Sequence, residues 1–173
     1  MKIEKYLSQK KKAILKKWFQ LILNTYPEEA AQFMNREKDP FDNPVGSTIG
    51  KGIEDLFEAL QREIDPKTVS SSLDRIIRIR AIQDFSPSQA INFIFILKDV
   101  LREELKSELQ DANILKELFE LESRIDELAL IAFDIYMKCR EKVYELKANE
   151  IKNRYFRLLQ RANLLAELPE QEP

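Results

Sequence analysis

Apolar residues recur along most of this chain at the three- and four-residue spacing of helices that are buried on one side. The first predicted helix runs from about Tyr6 to Thr25. Its spaced apolar positions are Leu7, Ile14, Trp18 and Ile22. The same spacing predicts further helices over about residues 27–34, 47–63, 65–85 and 87–109, followed by a long C-terminal helix. The sequence therefore predicts an all-α protein of about six helices.

The sharpest local signal lies between the fourth and fifth of these helices. Ser86 is suited to cap the fifth helix, because its hydroxyl can accept a hydrogen bond from the backbone N–H of Gln89. Pro87 is tolerated at the first helical position, and Gln89 can complete a capping box by reaching back to Ser86. Residues 90–97 are apolar almost all the way round, so we expect the fifth helix to be central and buried.

Arg80 and Asp84 lie on the same predicted helical stripe as Leu73 and Ile77. A charged pair on an apolar stripe costs desolvation energy, and removing one partner of a buried pair costs about 3–5 kcal/mol. Two interpretations remain open. Arg80 either holds the corner together through Asp84, Gln83 and the free carbonyl groups at the end of the fourth helix, or it faces a cavity and binds a ligand carboxylate or phosphate.

The last predicted helix carries a heptad-like apolar seam. The positions of this seam follow steps of three and four residues and are Leu121, Ile125, Leu128, Ala132, Ile135, Cys139 and Leu146. Ile131, Phe133 and Tyr136 lie off the seam, so the middle turns can meet two surfaces at once. A stripe of this length exceeds what a small bundle covers, and we expect part of it to face a second subunit or another protein partner.

Composition and charge narrow the class of protein. The chain has 28 Lys and Arg against 30 Asp and Glu, a net charge of −2 that does not favour nucleic-acid binding. Seven lysines and one glutamate lie within residues 1–17, and this basic start is either a solvated helix face or a contact for a membrane surface or an acidic partner. No apolar run approaches the ~20 residues of a membrane span. One cysteine, Cys139, fits a reducing compartment, so we expect a cytoplasmic protein.

Histidine is absent from the sequence. Its absence removes the commonest general base, the commonest metal ligand and the usual proximal haem ligand. No serine has a recognisable activating base, and Gly46 to Lys51 lacks the preceding strand and further glycines of a phosphate loop. Gly46 and Gly50 instead suit a close approach of another backbone to the third helix. We therefore expect a protein that is not an enzyme and has no cofactor or metal site.

Several segments together resemble one known family. They are the run Leu73–Leu105, Trp18 in the first helix, the pair Tyr26-Pro27, and Phe41–Gly46 before the third helix. These segments are similar to the N-terminal sensor domain of RsbRD-type stressosome proteins, the co-antagonists of the RsbT switch kinase. The resemblance spans about residues 10–135 and is most specific from Arg78 to Leu97. It implies a globin-like helical bundle without haem, a homodimer and a regulatory role.

In that family a phosphorylatable STAS domain normally follows, and this sequence leaves no room for one after residue 165. We therefore expect a sensor or adaptor module by itself. Its expected parts are a globin-like sensor domain over residues 1–145, a C-terminal helical extension over 146–165 and a disordered tail over 166–173.

The resemblance also raises the prospect of an internal pocket, because the space that haem would occupy can persist as an apolar cavity. The aromatic residues expected to line it are Trp18, Phe57, Phe85 and Phe93. Three functions remain open: a regulatory sensor or adaptor that signals to a protein partner through its C-terminal helix, a carrier or receptor for an apolar small ligand, and a peripheral accessory subunit of a membrane complex. The sequence indicates neither the signal nor the pathway.

Overall fold

The computed structural model describes residues 2–37, 39–62, 66–83 and 85–162. Across these residues the secondary structure is helical, with no strand. The elements are α1 (Lys2–Leu23), α2 (Glu28–Arg36), α3 (Pro44–Leu60), α4 (Pro66–Ile82), α5 (Pro87–Glu104), a short 3₁₀ helix (Glu108–Gln110) and α6 (Ala112–Arg161). The predicted all-α fold with a long C-terminal helix is confirmed.

The chain divides into two compact units, residues 1–139 and the residues from Arg140 onward. Helix α6 contributes to both units. The division falls earlier in the chain than the expected domain boundary at residue 145. The predicted tail, residues 166–173, lies outside the described residues.

The helix ends follow local capping chemistry. Ser86 caps α5, and the predicted capping box with Gln89 is present. Asn43 caps α3 through its side-chain oxygen, which accepts the N–H of Gly46. Helix α5 ends at Glu104 rather than near Leu109, and Lys10 Nζ donates a hydrogen bond to the backbone carbonyl of Glu104. A cation at this position satisfies a free carbonyl group and opposes the negative end of the helix dipole.

The core of the first unit forms where α1 packs on α5 and α3 packs on α4. The four apolar positions predicted for the first helix, Leu7, Ile14, Trp18 and Ile22, are all buried. Gly52 lies where α3 meets α4, and a Cβ atom there would approach Ile76 Cδ1 to 2.7 Å. Gly46 instead leaves room for the Asn43 cap, since its Cβ would lie 2.4 Å from Asn43 Nδ2. At Gly50 an added Cβ would make an ordinary van der Waals contact with the Phe19 side chain, at 3.9 Å. The atoms nearest to both Gly46 and Gly50 therefore belong to side chains, and the expected approach of another backbone is wrong.

Side chains of α6 in the first unit bind the ends of other helices. The Glu117 carboxylate accepts the backbone N–H groups of Lys2 and Ile3 at the start of α1. Arg124 Nη1 donates to the carbonyl oxygen of Leu60 at the end of α3, at 3.1 Å. An anion at a helix N-terminus and a cation at a C-terminus both complement the helix dipole. Arg102 of α5 forms a two-pronged ion pair with Glu122, at 2.7 and 2.8 Å.

Several lysines of the basic N-terminal segment pair with acidic groups of the same unit. Lys10 Nζ lies 2.8 Å from Glu108, and Lys17 pairs with Glu103. Lys11 Nζ lies 2.8 Å from carboxylate oxygens of both Glu54 and Glu58. These pairs give Lys10, Lys11 and Lys17 acidic partners within the chain. No helix in the described ranges combines the length and apolarity needed to cross a membrane.

Candidate functional site

Arg80 is the most unusual residue of the core, because its side chain is 0% exposed. Helix α4 places it on the face that also carries Leu73 and Ile77, both fully buried. Arginine is almost never fully buried unless its charge is compensated. The question for this site is therefore what compensates the guanidinium.

The guanidinium of Arg80 is held by groups from two other segments. Its Nη2 donates to Thr25 Oγ1 at 3.0 Å and to the backbone oxygen of Gln89 at 3.1 Å. Its Nη1 donates to the hydroxyl of Tyr26 at 3.4 Å. The buried Nε has no partner in the described part of the chain. Burial lowers the pKa of Arg80 and raises the pKa of the Tyr26 phenol.

Aromatic rings supply the remaining compensation. The central carbon of the guanidinium lies 4.3 Å from the ring centre of Phe85, 5.2 Å from that of Tyr26 and 5.8 Å from that of Phe93. The rings of Tyr26 and Phe85 also meet edge to face, with centres 5.3 Å apart. A cation over an aromatic face is stabilised by about 0.5–2 kcal/mol, most strongly when it is desolvated. We call Thr25, Tyr26, Arg80, Phe85 and the backbone of Gln89 the arginine corner.

Helix α6 contacts the arginine corner through Tyr136. The Tyr136 hydroxyl is 2.6 Å from the backbone oxygen of Phe85 and donates a hydrogen bond to it. Phe85 is therefore held from two sides, by Arg80 under its ring and by Tyr136 at its carbonyl group. Sequence reasoning missed Thr25, Tyr26 and Tyr136 as corner residues. One sequence feature pointed to a second contact of α6: Tyr136 lies off the predicted seam, and its side chain combines an apolar ring with a polar hydroxyl.

The predicted corner is only partly the observed one. Asp84, the expected partner of Arg80, lies outside the described residues. Gln83 and Ser86 are exposed, and Gln89 contributes its backbone oxygen, while its side chain serves the capping box. Arg80 thus binds the start of α5 and the segment after α1. Among the described residues, no hydrogen bond joins the Arg80 side chain to the terminal carbonyl groups of α4, which one of the two interpretations had given as its partners.

The residues predicted to line a pocket are core residues in this structure. Trp18, Phe57 and Phe93 are buried, and Phe85 is partly buried. Trp18 Nε1 donates to the backbone oxygen of Phe93 at 2.6 Å. The group found against the rings of Phe85 and Phe93 is the charged guanidinium of Arg80. An apolar ligand therefore gains no support from these contacts.

The predicted partner seam on α6 needs correction. Four of its positions, Leu121, Ile125, Leu128 and Ala132, are buried in the chain's own core. Ile135 and Cys139 pack against that core, and burial raises the pKa of the Cys139 thiol. Leu146 is the one seam position that is exposed. Within the first unit, the exposed apolar side chains of α6 are Leu115, Phe119, Leu130, Phe133 and Met137.

A further property of the described residues is whether their side chains could bind a metal ion. Within the ranges that the structure describes, no group of three or more Asp, Glu, Cys or His side chains is arranged to hold a metal ion. The chemical capacity of the site lies instead in its guanidinium and in its hydrogen-bonded link to α6.

These features define an all-α protein with a buried, aromatic-lined arginine corner at the start of α5. A sequence profile of the family described as RsbT co-antagonist protein rsbRD N-terminal domain matches residues 12–151. The chain belongs to this family, which confirms the resemblance drawn from its residues and suggests a stressosome-related regulatory role.

This chain is similar to a relative along most of the length of both proteins. An uncharacterized protein from Archaeoglobus fulgidus is 27% identical over 143 residues, which cover 81% of this chain and 83% of the relative. No solved structure matches the chain.

Proposed function

We propose that this protein is a non-enzymatic regulatory sensor or adaptor with a globin-like fold that holds no haem. It forms a homodimer, and it signals to a protein partner through the part of α6 that follows residue 139. The observation that carries the proposal is the surface of that segment. None of the described residues from 140 to 162 is buried, although the segment is helical and carries large apolar side chains.

The free energy of such a segment argues for a partner. Helices gain most of their stability from packing an apolar face, because intrinsic propensity alone is marginal. Among the described residues of the second unit, the large exposed apolar side chains are Tyr144, Leu146, Ile151, Tyr155, Phe156, Leu158 and Leu159. Contiguous exposed apolar surface of this kind marks an interaction site.

We assign the homodimer contact to a face of α6 that differs from the face of the predicted seam. Leu130, Phe133 and Met137 recur on one side of α6 and are 69%, 41% and 37% exposed. Phe119 lies on the same side and is 57% exposed. This exposed face of the first unit is the surface that we assign to the second copy of the chain.

The arginine corner supplies a route for the signal. Tyr136 joins the carbonyl group of Phe85 to α6, and Phe85 packs on Arg80. A change at Arg80 therefore alters the support of α6 at Tyr136, and residues 140–161 continue the same helix. Such coupling requires a corner with two arrangements of similar free energy.

Affinity capture with the full-length chain tests the partner surface. We expect Tyr155→Asp/Leu158→Asp to lose a partner that the wild-type chain retains. The matched control is Asn149→Asp/Asn153→Asp, which adds the same charge on the side of the helix away from Tyr155 and Leu158 and should retain the partner. Equal capture by all three proteins contradicts a partner at this surface.

Sedimentation of the purified chain tests the dimer separately. Phe133→Asp is expected to shift the chain from dimer to monomer, whereas Lys138→Asp, an exposed position of the same helix, is expected to leave the dimer intact. A wild-type chain that is monomeric at micromolar concentration contradicts the dimer.

A further inference from the structure

The exposed apolar residues of the second unit form a regular stripe. Tyr144, Ala148, Ile151, Tyr155 and Leu158 follow alternating steps of four and three residues. All five are exposed, with Ile151 at 55% and Leu158 at 53%. This spacing is the heptad seam of a two-stranded coiled coil. We call these five residues the heptad stripe.

The distribution of apolar residues around the segment favours another helix over a membrane surface. Helices that lie in a bilayer interface keep their apolar residues on one broad face opposite a polar face. Here the side opposite the heptad stripe carries Asn149, Asn153 and Gln160 together with the exposed Leu146 and Phe156, so it is not a continuous polar face.

The flanks of the heptad stripe differ in charge. On one flank, a position that recurs every seven residues is always cationic. It is occupied by Lys147, Arg154 and Arg161. The other flank is mixed, with Glu145, Lys152 and Leu159. Flanking charges of this kind select the partner and its orientation in coiled coils.

A second copy of the same segment is a poor match for these flanks. In a parallel pair, Lys147 of one copy meets Lys152 of the other, and Arg154 meets the uncharged Leu159. In an antiparallel pair, the cationic flank meets itself. Like charges across a helix pair are unfavourable, so charge complementarity points away from self-association at this stripe.

We infer that the heptad stripe binds a helix of another protein that has its own apolar heptad seam and Asp or Glu at the positions flanking that seam. The inference rests on the proposed function and deepens it, because it gives the chemistry of the signalling partner. The cationic flank of Lys147, Arg154 and Arg161 provides the discrimination, and the apolar seam provides the affinity.

The test uses the full-length chain and two synthetic helical peptides of about four heptads each. Both peptides have the same Ile and Leu seam, and one has Glu at the flanking positions while the other has Lys. Fluorescence anisotropy should show tighter binding of the Glu peptide, with a preference that decreases as salt is added. Ile151→Asp should abolish binding of both peptides.

A charge-reversed variant isolates the flank. Lys147→Glu should weaken binding of the Glu peptide about fivefold, since it replaces a surface ion pair by a repulsion of similar size. Asn149→Glu/Asn153→Glu changes the net charge by the same amount on the side opposite the heptad stripe and should bind like the wild-type chain. Circular dichroism of each variant confirms that the helices remain folded.

Three results overturn the inference. The first is equal binding of the two peptides, or equal weakening by Lys147→Glu and by its control. The second is co-sedimentation with phosphatidylserine vesicles that is lost in Lys147→Glu while neither peptide binds, which assigns the stripe to a membrane. The third is conversion of the dimer to monomer by Ile151→Asp, which assigns it to a second copy. If capture still depends on Tyr155 and Leu158 while the peptides fail, the proposed function stands and only the acidic helix is wrong.

Discussion

Replacing Arg80 separates the packing of the arginine corner from its polar bonds. Arg80→Met keeps most of the apolar stem and removes the guanidinium, whereas Arg80→Ala removes both. We expect Arg80→Met to change the free energy of unfolding by no more than about 1 kcal/mol, because removing a desolvated charge and a buried donor offsets the loss of the hydrogen bonds. We expect Arg80→Ala to be about 4 kcal/mol less stable than Arg80→Met.

The magnitudes follow from the contacts. In the Met variant, Thr25 Oγ1 still donates to the carbonyl oxygen of Ile22 at 2.7 Å, and the buried Nε that has no partner among the described residues disappears. The Tyr26 hydroxyl loses its donor, at a cost of about 1 kcal/mol. Relative to the Met variant, the Ala variant loses the three buried heavy atoms Cγ, Sδ and Cε, each counted like a methylene group at about 0.8 kcal/mol. The cavity that remains adds about 1–2 kcal/mol.

Chemical denaturation followed by the fluorescence of Trp18 measures these differences, since Trp18 is the one tryptophan of the sequence and is buried. If Arg80→Met is as destabilised as Arg80→Ala, the polar bonds outweigh desolvation and the reasoning is refuted. If Arg80→Met is stable but fails to capture the partner, the corner serves a ligand or a signal and not stability.

Two further predictions concern the remaining scaffold. Glu117→Gln should lower the melting temperature at neutral pH, and should remove part of the acid sensitivity of the wild-type chain. The N–H groups of Ile3 and Lys2 lower the pKa of Glu117 from 4.5. The contribution of Glu117 to the free energy of unfolding is therefore present above about pH 4.5 and is lost as pH falls through the depressed pKa. Identical pH profiles of the two proteins contradict this. Gly50→Ala should stabilise the chain by about 0.5–1 kcal/mol, because the added Cβ lies in a helix and meets only Phe19, at the van der Waals distance of 3.9 Å. Gly46→Ala should destabilise it by about 1–2 kcal/mol, because the added Cβ displaces the Asn43 cap. Thermal melts of the two alanine variants measure this contrast, and shifts of the same sign would refute it.

The features that are local in the chain were predictable from the sequence. Apolar spacing identified the buried face of α1, including Ile14 and Trp18, because a helix brings residues three and four apart to one side. Ser86 and Gln89 predicted the capping box, because both partners lie within one helical turn. The family match covers residues 12–151.

The partners of Arg80 depend on the tertiary structure. The chain shows a charged residue on an apolar stripe, and the nearest complementary charge in the sequence was taken as its partner. The groups that are seen to bind its guanidinium include Thr25 and Tyr26, which lie more than fifty positions away in the chain. Separation in sequence carries no information about which segments fold against each other.

The apolar seam of α6 also shows which features follow from the sequence and which depend on the tertiary structure. Periodicity places Leu121, Ile125 and Leu128 on one side of a helix, but it does not say whether the chain's own core or a second molecule covers that side. The tertiary structure buries these residues within the first unit and leaves Tyr144 and Ile151 exposed in the second. Sequence alone determines which residues share a face, because helix geometry is local, whereas burial depends on which distant surfaces the fold brings against that face.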